Sequence, residues 1–259
     1  MTPQLRRLSG RLDRTLVALD FDGVLSPIVP DPASAAALPG TADVLTAVAA
    51  RVARVAVVTG RPAADAVRLG GLAGVPGLVV LGHYGLQRWS DGTLSTPDSD
   101  DGVDLARRRV AELAALRPGV TVEDKHHSVA LHTRSAPDPA AALAELRPHA
   151  DAVAAEAGLQ VTPGRFVLEL RPVGVDKGVA IRSLVAETGA TAVLYAGDDL
   201  GDLPAVAAVR ELASSSDVVG LVVCSDAEEA SADLRAAADV VVPGPPGVQA
   251  LLHELVTLD

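Results

Sequence analysis

Two carboxylates, two residues apart, follow an apolar run near the start of the chain. Residues 16–19 are Leu-Val-Ala-Leu, and Asp20, Asp22 and Gly23 follow them. An apolar run without polar alternation is typical of a strand buried on both faces of a parallel sheet, and open α/β sheets bind ligands beyond the carboxyl ends of their strands. Because two adjacent carboxylates repel each other unless a cation lies between them, the stretch predicts a charged reaction centre. A loop with helix-capping aspartates is the alternative.

Further polar groups stand where other predicted strands end or where a predicted helix begins. Residues 55–58 and 192–196 are apolar runs of the same kind, and Lys177 opens a segment with helical spacing. Taken singly, each of these groups also fits a helix cap or a solvated lysine. Since the carboxyl ends of parallel strands lie at one edge of a sheet, we expect the groups to converge there. They are Asp20 with Asp22, Thr59, Lys177, and Asp198 with Asp199 and Asp202.

The elements that must position these groups alternate between strand and helix. The apolar runs named above, and another at residues 78–81, are separated by segments with helical spacing. This alternation predicts an α/β fold with a doubly wound, Rossmann-like parallel sheet. Residues 87–173 differ, because their strands alternate between apolar and polar positions in the order helix, two strands, helix, two strands. We therefore expect a core of residues 1–86 and 174–259 with an inserted α+β domain at residues 87–173.

The composition limits the partners and the cellular setting that we expect. The 259 residues carry a formal net charge of −11, which argues against nucleic acid as a partner. No apolar run approaches the roughly 18 residues of a transmembrane helix, so no membrane span is predicted. Residues 1–14 lack the apolar centre of a signal peptide, which predicts a cytoplasmic protein.

The set of motifs resembles the haloacid dehalogenase superfamily of phosphotransferases. The resemblance is carried by the order Asp-x-Asp, Thr, Lys and Gly-Asp-Asp along the chain. It implies that Asp20 is the nucleophile that forms an aspartyl-phosphate, and that Asp22 acts first as general acid and then as general base. Thr59 is then expected to hydrogen-bond the phosphoryl group, and Lys177 to offset its charge.

The same resemblance implies a magnesium site. Asp20, the main-chain oxygen of Asp22, and Asp198 are the expected ligands, and an all-oxygen set suits Mg²⁺. Two roles remain open for Asp199 and Asp202, which either ligate the ion through water or hold the lysine.

The inserted domain resembles the cap domain of trehalose-6-phosphate phosphatases. The resemblance rests on Val-Glu-Asp-Lys at residues 122–125, Leu-His-Thr-Arg at residues 131–134, and the segment at residues 164–172. Gly201, where the family commonly has threonine, and His126, where a small residue is usual, depart from the pattern. The alternative for the charged cap residues is a set of cross-strand pairs on an exposed sheet. The candidate substrate contacts are Gly60, Arg61, Glu123, Lys125, Arg134, Arg165 and Glu169.

The activity implied by these resemblances is hydrolysis of trehalose 6-phosphate with Mg²⁺ as cofactor. The alternatives are a phosphatase of another sugar phosphate or of a glycosyl-phosphoglycerate and, in a different class, a non-catalytic sugar-phosphate sensor. A sensor needs no nucleophile, so the complete motif set argues against it. A trehalose-6-phosphate synthase is a candidate functional partner.

Overall fold

The chain folds into two compact units in a computed structural model. A core unit comprises Met1–Thr96 and Asp176–Asp259, and an insert unit comprises Pro97–Val175. The structure describes residues 2–97, 101–125, 127–226 and 231–258, so the departure at His126 lies outside the described residues. No helix among the described residues is long and apolar enough to cross a membrane.

Strands and helices alternate along most of the described chain. The strands are β1 (Thr15–Leu19), β2 (Arg54–Val58), β3 (Val79–Gly82), β4 (Gln87–Ser90), β5 (Thr93–Ser95), β6 (Thr121–Asp124), β7 (Val129–His132), β8 (Leu159–Gly164), β9 (Val167–Pro172), β10 (Ala192–Gly197), β11 (Val219–Ser225) and β12 (Val240–Val242). The α-helices are α1 (Thr41–Ala49), α2 (Ala63–Gly70), α3 (Asp101–Ala115), α4 (Pro139–Ala157), α5 (Lys177–Thr188), α6 (Leu203–Ser215), α7 (Ala232–Ala237) and α8 (Gly244–Val256). Short 3₁₀ helices include Pro3–Leu8 and Leu200–Asp202.

The core unit is built on one mixed sheet with the strand order β12-β11-β10-β1-β2-β3-β4-β5. The strands from β12 to β3 pair in parallel, and β4 and β5 add antiparallel pairs at one edge. Val17 and Leu19 of β1 enter one apolar cluster, whereas Leu16 and Ala18 enter another. Because both faces of β1 are buried, its sequence shows no polar alternation. The predicted doubly wound sheet is confirmed.

The segment at residues 87–96 lies in the core sheet, although the sequence pattern assigns it to the insert. Gln87 and Trp89 of β4 are buried, whereas Arg88 and Ser90 are half-exposed. This period-two pattern arises because β4 is an antiparallel strand near the edge of the sheet, and it is the same pattern that marks the strands of the insert. The two kinds of strand cannot be told apart by periodicity alone.

The insert unit is an antiparallel sheet of order β6-β7-β9-β8 with α3 and α4 against one face. Leu131 of β7 and Leu168 of β9 pack with Val103 of α3 and Leu146 of α4 in its apolar cluster. On the opposite face, Glu123, Ala130 and Glu169 lie side by side across three strands, because β6 pairs with β7 and β7 with β9 at these residues. The sheet therefore has one apolar face and one face that carries polar side chains.

Candidate active site

Asp20 is the first residue after β1, and its side chain is almost completely buried. Its Oδ1 accepts a hydrogen bond of 2.7 Å from the main-chain N–H of Phe21, and its Oδ2 lies 2.7 Å from Lys177 Nζ. The main-chain N–H of Asp20 donates to the carbonyl oxygen of Ala196 on β10. These contacts hold the carboxylate in one orientation at the carboxyl edge of the sheet, where the sequence predicts a reaction centre.

Lys177, the first residue of α5, is buried between two carboxylates. Its Nζ lies 2.7 Å from Asp20 Oδ2 and 2.6 Å from Asp202 Oδ1. Burial alone lowers the pKa of a lysine, but the negative charges of Asp20 and Asp202 outweigh burial and raise the pKa of Lys177 well above its ordinary value. The side chain is therefore a permanent positive charge beside Asp20, not the solvated lysine that its place in a first helical turn allows.

Asp202 organises the loop after β10 and is completely buried. Its Oδ2 accepts hydrogen bonds from the main-chain N–H groups of Asp198, at 2.8 Å, and Asp199, at 3.1 Å. Its Oδ1 accepts from Lys177 and from the hydroxyl of Tyr195. Of the two roles left open by the sequence, the contacts match the one in which this residue holds the lysine.

Asp199 in this loop and Tyr195 on β10 make two further contacts here. Asp199 accepts a hydrogen bond of 2.8 Å from the main-chain N–H of Gly201 and so caps the short helix that follows. The sequence motifs did not indicate Tyr195, whose hydroxyl donates to Asp202. A buried tyrosine hydroxyl needs a hydrogen-bond partner. A tyrosine inside an apolar strand just before an aspartate-rich loop is therefore the sequence signal that points to this contact.

Asp22 is bound by Arg61 through two hydrogen bonds. Arg61 Nε lies 2.6 Å from Asp22 Oδ2, and Arg61 Nη2 lies 2.7 Å from Asp22 Oδ1. Arg61 Nη1 donates to the carbonyl oxygen of Pro32 at 2.7 Å, and the guanidinium carbon lies 5.6 Å from the centre of the Phe21 ring. From sequence, Arg61 is a candidate substrate contact; the structure places its guanidinium group on Asp22.

Thr59 follows β2 and is buried beside this pair. Its Oγ1 accepts a hydrogen bond of 3.2 Å from the main-chain N–H of Arg61, and its carbonyl oxygen accepts one from the N–H of Tyr84. A Cβ atom at Gly60 would lie 2.8 Å from the Tyr84 hydroxyl, so only glycine fits without a shift of that ring. The Thr59-Gly60-Arg61 turn is thus packed tightly against the loop after β3.

The carboxylates of Asp20, Asp198 and Asp202 form a cluster that could hold a metal ion. One oxygen from each lies within 4.8 Å of the others. Burial and the charges of Asp20 and Asp202 raise the pKa of Asp198 to about 10, so the group needs a cation beside it to be ionised at neutral pH. No described residue donates a hydrogen bond to the Asp198 carboxylate, whereas Asp202 is fully engaged by donors. The all-oxygen donor set fits a hard divalent cation.

Gly23 lets the first loop approach this cluster. It has a φ of +68°, and a Cβ atom there would lie 2.0 Å from Asp198 Oδ2. Its carbonyl oxygen also accepts a hydrogen bond from the hydroxyl of Ser225 at the end of β11. A left-handed backbone and close packing both require glycine here, which explains the glycine that follows the two aspartates.

In the insert unit, Glu123, Lys125 and Glu169 lie together on the polar face of the sheet. Lys125 Nζ lies 3.8 Å from Glu123 Oε2 and 3.7 Å from Glu169 Oε2. Glu169 is buried and accepts a hydrogen bond of 2.6 Å from the Ser128 hydroxyl. Glu123 lies 2.8 Å from Nε2 of His132. The sequence did not predict that Ser128 and His132 bind these two glutamates.

The two arginines predicted in the insert occupy turns. Arg134 lies just after β7, and Arg165 lies between β8 and β9; both are exposed. The guanidinium carbon of Arg165 lies 5.9 Å from the centre of the Phe166 ring. Their assignment to the substrate stays a prediction.

Comparison with known proteins identifies the family of this chain. Residues 18–240 match the profile of the trehalose-phosphatase family. The chain belongs to the trehalose-phosphatase family. A trehalose-phosphate phosphatase of Mycobacterium avium is 36% identical over 220 residues, which cover 78% of this chain and 53% of that protein. An uncharacterized glycosyl hydrolase of Mycobacterium tuberculosis is 37% identical over 229 residues, which cover 80% of this chain and 16% of that protein.

A solved structure supports the fold of this trehalose-phosphatase family member. The C-terminal domain of a Candida albicans trehalose-6-phosphate phosphatase superposes with a TM-score of 0.78 at 20% identity, covering 99% of this chain and 95% of that chain. At this level of identity, the likeness concerns the fold. The chain spans about half the length of the Mycobacterium avium relative that it matches.

Proposed function

We propose that this chain is a Mg²⁺-dependent phosphatase that hydrolyses trehalose 6-phosphate to trehalose and inorganic phosphate. The observation that carries the proposal is the convergence, in a member of this family, of Asp20, Lys177 and Asp198 at the carboxyl edge of the sheet. A buried carboxylate held beside a fixed positive charge suits a nucleophile that receives a negatively charged phosphoryl group. A non-catalytic sensor would have no use for this arrangement.

The reaction that we propose has two steps, both performed at Asp20. In the first, an Asp20 oxygen attacks phosphorus while Asp22 gives a proton to the sugar oxygen that leaves. In the second, Asp22 takes a proton from water as the water oxygen attacks phosphorus, and the bond from phosphorus to the Asp20 oxygen breaks, which releases inorganic phosphate and restores the Asp20 carboxylate. Thr59 donates a hydrogen bond to the phosphoryl oxygens, and Lys177 offsets their charge.

The magnesium ion is assigned to Asp20, Asp198 and the main-chain oxygen of Asp22. The support is the donor set described above, in which the Asp198 carboxylate is buried, rich in negative neighbours and without a described donor. When bound, Mg²⁺ supplies positive charge against the oxygens of the phosphoryl group. Asp202 is engaged by four donors and therefore serves as the support of Lys177 and of the loop.

Specificity for the disaccharide is assigned to the polar face of the insert unit. Glu123, Lys125 and Glu169 supply both acceptors and a cation, which suits sugar hydroxyls and phosphate. By the family resemblance, Gly60, Arg134 and Arg165 are further contacts of the substrate in this proposal. Cytoplasmic location and a trehalose-6-phosphate synthase partner stay predictions.

Phosphate release from a panel of sugar phosphates tests the proposed function. We expect trehalose 6-phosphate to give the highest kcat/KM of the panel, EDTA to stop release, and added Mg²⁺, but not Zn²⁺, to restore it. Asp20→Asn, which keeps the shape but cannot attack phosphorus, serves as the background control. A higher kcat/KM for another sugar phosphate would contradict the assignment of trehalose 6-phosphate as the substrate. Full activity after exhaustive chelation would contradict the assignment of Mg²⁺ as the cofactor.

A further inference from the structure

Arg61 is fixed against Asp22 from three sides. Two of its nitrogens bind the two oxygens of Asp22, at 2.6 and 2.7 Å. The third nitrogen donates to Pro32, and the guanidinium lies over the ring of Phe21. The Arg61 side chain is 16% exposed and that of Asp22 31% exposed. Because the planar guanidinium is held by hydrogen bonds at its edge and by the Phe21 ring on its face, it fixes the plane of the Asp22 carboxylate.

We infer that Arg61 is a positioning residue for Asp22 in the second step of the reaction, an inference that rests on the proposed function. A guanidinium has donors only, so its bidentate grip matches Asp22 with both oxygens accepting, the form that takes a proton from water. In that step the water oxygen bonds to phosphorus and the water proton passes to Asp22. The bond from phosphorus to the Asp20 oxygen breaks, and its electron pair returns to Asp20 as phosphate leaves.

This role differs from direct contact with substrate in the step that it affects. A substrate contact would act on binding and on phosphorylation of Asp20, so its loss would raise KM and slow the release of the leaving group. With a leaving group that needs no proton from Asp22, a residue that positions Asp22 acts only after that group has gone. The phosphorylated enzyme should then accumulate when Arg61 is replaced.

Stopped-flow kinetics with p-nitrophenyl phosphate and Mg²⁺ separate the two steps. Because p-nitrophenolate leaves without needing a proton, its release reports phosphorylation of Asp20 with little demand on Asp22. For Arg61→Gln we expect a burst approaching one p-nitrophenol per active site, at a rate within about threefold of wild type. The steady rate that follows should fall about 100-fold, the range of general-base catalysis. Arg68→Gln, an exposed arginine of the neighbouring α2, should match wild type in both phases.

A double-mutant cycle tests whether Arg61 acts through Asp22. In an Asp22→Asn background, Arg61→Gln should reduce the steady rate by no more than about twofold, because the group that it positions is already lost. Arg61→Lys, which cannot bind the carboxylate through two parallel bonds, should show the same burst and a steady rate about tenfold below wild type. It also provides the test if the glutamine variant fails to fold.

The outcomes distinguish this inference from the proposed function. Independent losses in the cycle, a slowed burst with raised KM, or a wild-type steady rate in Arg61→Lys would overturn the positioning role while leaving the phosphatase in place. A wild-type protein that releases no p-nitrophenol and no phosphate from any sugar phosphate would overturn both.

Discussion

Asp202 stabilises the site although no reaction step uses it directly. It is completely buried and accepts hydrogen bonds from four groups, including the charged Lys177. Asp202→Ala leaves Lys177 with one carboxylate partner and leaves the other three donors without an acceptor. We therefore expect a loss of about 3–5 kcal/mol in the free energy of unfolding. Urea denaturation measures it. Asp199→Ala, which removes only a helix cap, should lose about 1 kcal/mol; equal losses for the two variants would contradict this role.

Gly23 and Gly10 allow a matched comparison of two glycine-to-alanine substitutions. Both have left-handed backbones, with φ of +68° and +70°, but only at Gly23 would a Cβ meet another atom, 2.0 Å from Asp198 Oδ2. Each alanine variant should lose about 1–2 kcal/mol of stability from its backbone conformation. Gly23→Ala should also reduce kcat about 100-fold, because it displaces a carboxylate of the site, whereas Gly10→Ala should keep kcat. Wild-type kcat in Gly23→Ala would contradict the packing described here.

Asp239 lies just before β12, and its carboxylate binds residues of three other elements. Its carboxylate binds Arg7 of the first 3₁₀ helix at 2.9 Å, Arg210 of α6 at 2.8 Å and the N–H of Val222 on β11 at 2.8 Å. Partial burial would raise the pKa of Asp239, but the Val222 N–H and the two arginines outweigh it, so the pKa lies below its ordinary value.

The lowered pKa of Asp239 predicts a stability change on the acid side. Because the folded pKa is below the unfolded one, its contribution is complete above about pH 4 and is lost as the pH falls through the folded pKa. Asp239→Asn should therefore lower the free energy of unfolding by about 1 kcal/mol at pH 7, with the difference from wild type shrinking below about pH 4. Thermal melts across pH measure it, with the exposed Asp13→Asn as control. A difference that grows toward low pH would contradict the sign.

The polar face of the insert sheet should determine substrate preference. Glu123 lies on this face of β6, in a row with Glu169. Glu123→Ala should lower kcat/KM for trehalose 6-phosphate about tenfold to a hundredfold, since a lost contact to substrate hydroxyls costs roughly 1–3 kcal/mol. Activity on p-nitrophenyl phosphate should stay near wild type.

Thr121→Ala, on the same face of the same strand, is the control for this substitution. It should leave the ratio of the two kcat/KM values at the wild-type level. If Glu123→Ala also keeps that ratio, Glu123 is only part of a surface charge pair, which is worth about 0–1 kcal/mol of stability.

Across the whole molecule, the parts that sequence predicts are those encoded locally. Asp20, Thr59 and Asp198 each follow an apolar strand, so the topology of a parallel sheet alone brings them together. The hydrogen bonds from Arg61 to Asp22 and from Tyr195 to Asp202 depend on side-chain directions in the packed fold. For Arg61, the chain offers many acceptors, and only tertiary packing selects the Asp22 carboxylate and the carbonyl oxygen of Pro32.

The complete fold brings Lys177 and Asp198 from distant parts of the chain to the carboxylate of Asp20, which we expect to become phosphorylated during turnover. The direct measurement is an acid quench during turnover of trehalose 6-phosphate with Mg²⁺, followed by peptide mapping by mass spectrometry. We expect one phosphoryl group on the peptide that contains Asp20, with neither label nor turnover in a folded Asp20→Asn variant. Turnover near the wild-type rate in Asp20→Asn, or a label on another residue, would contradict the assignment of Asp20 as nucleophile.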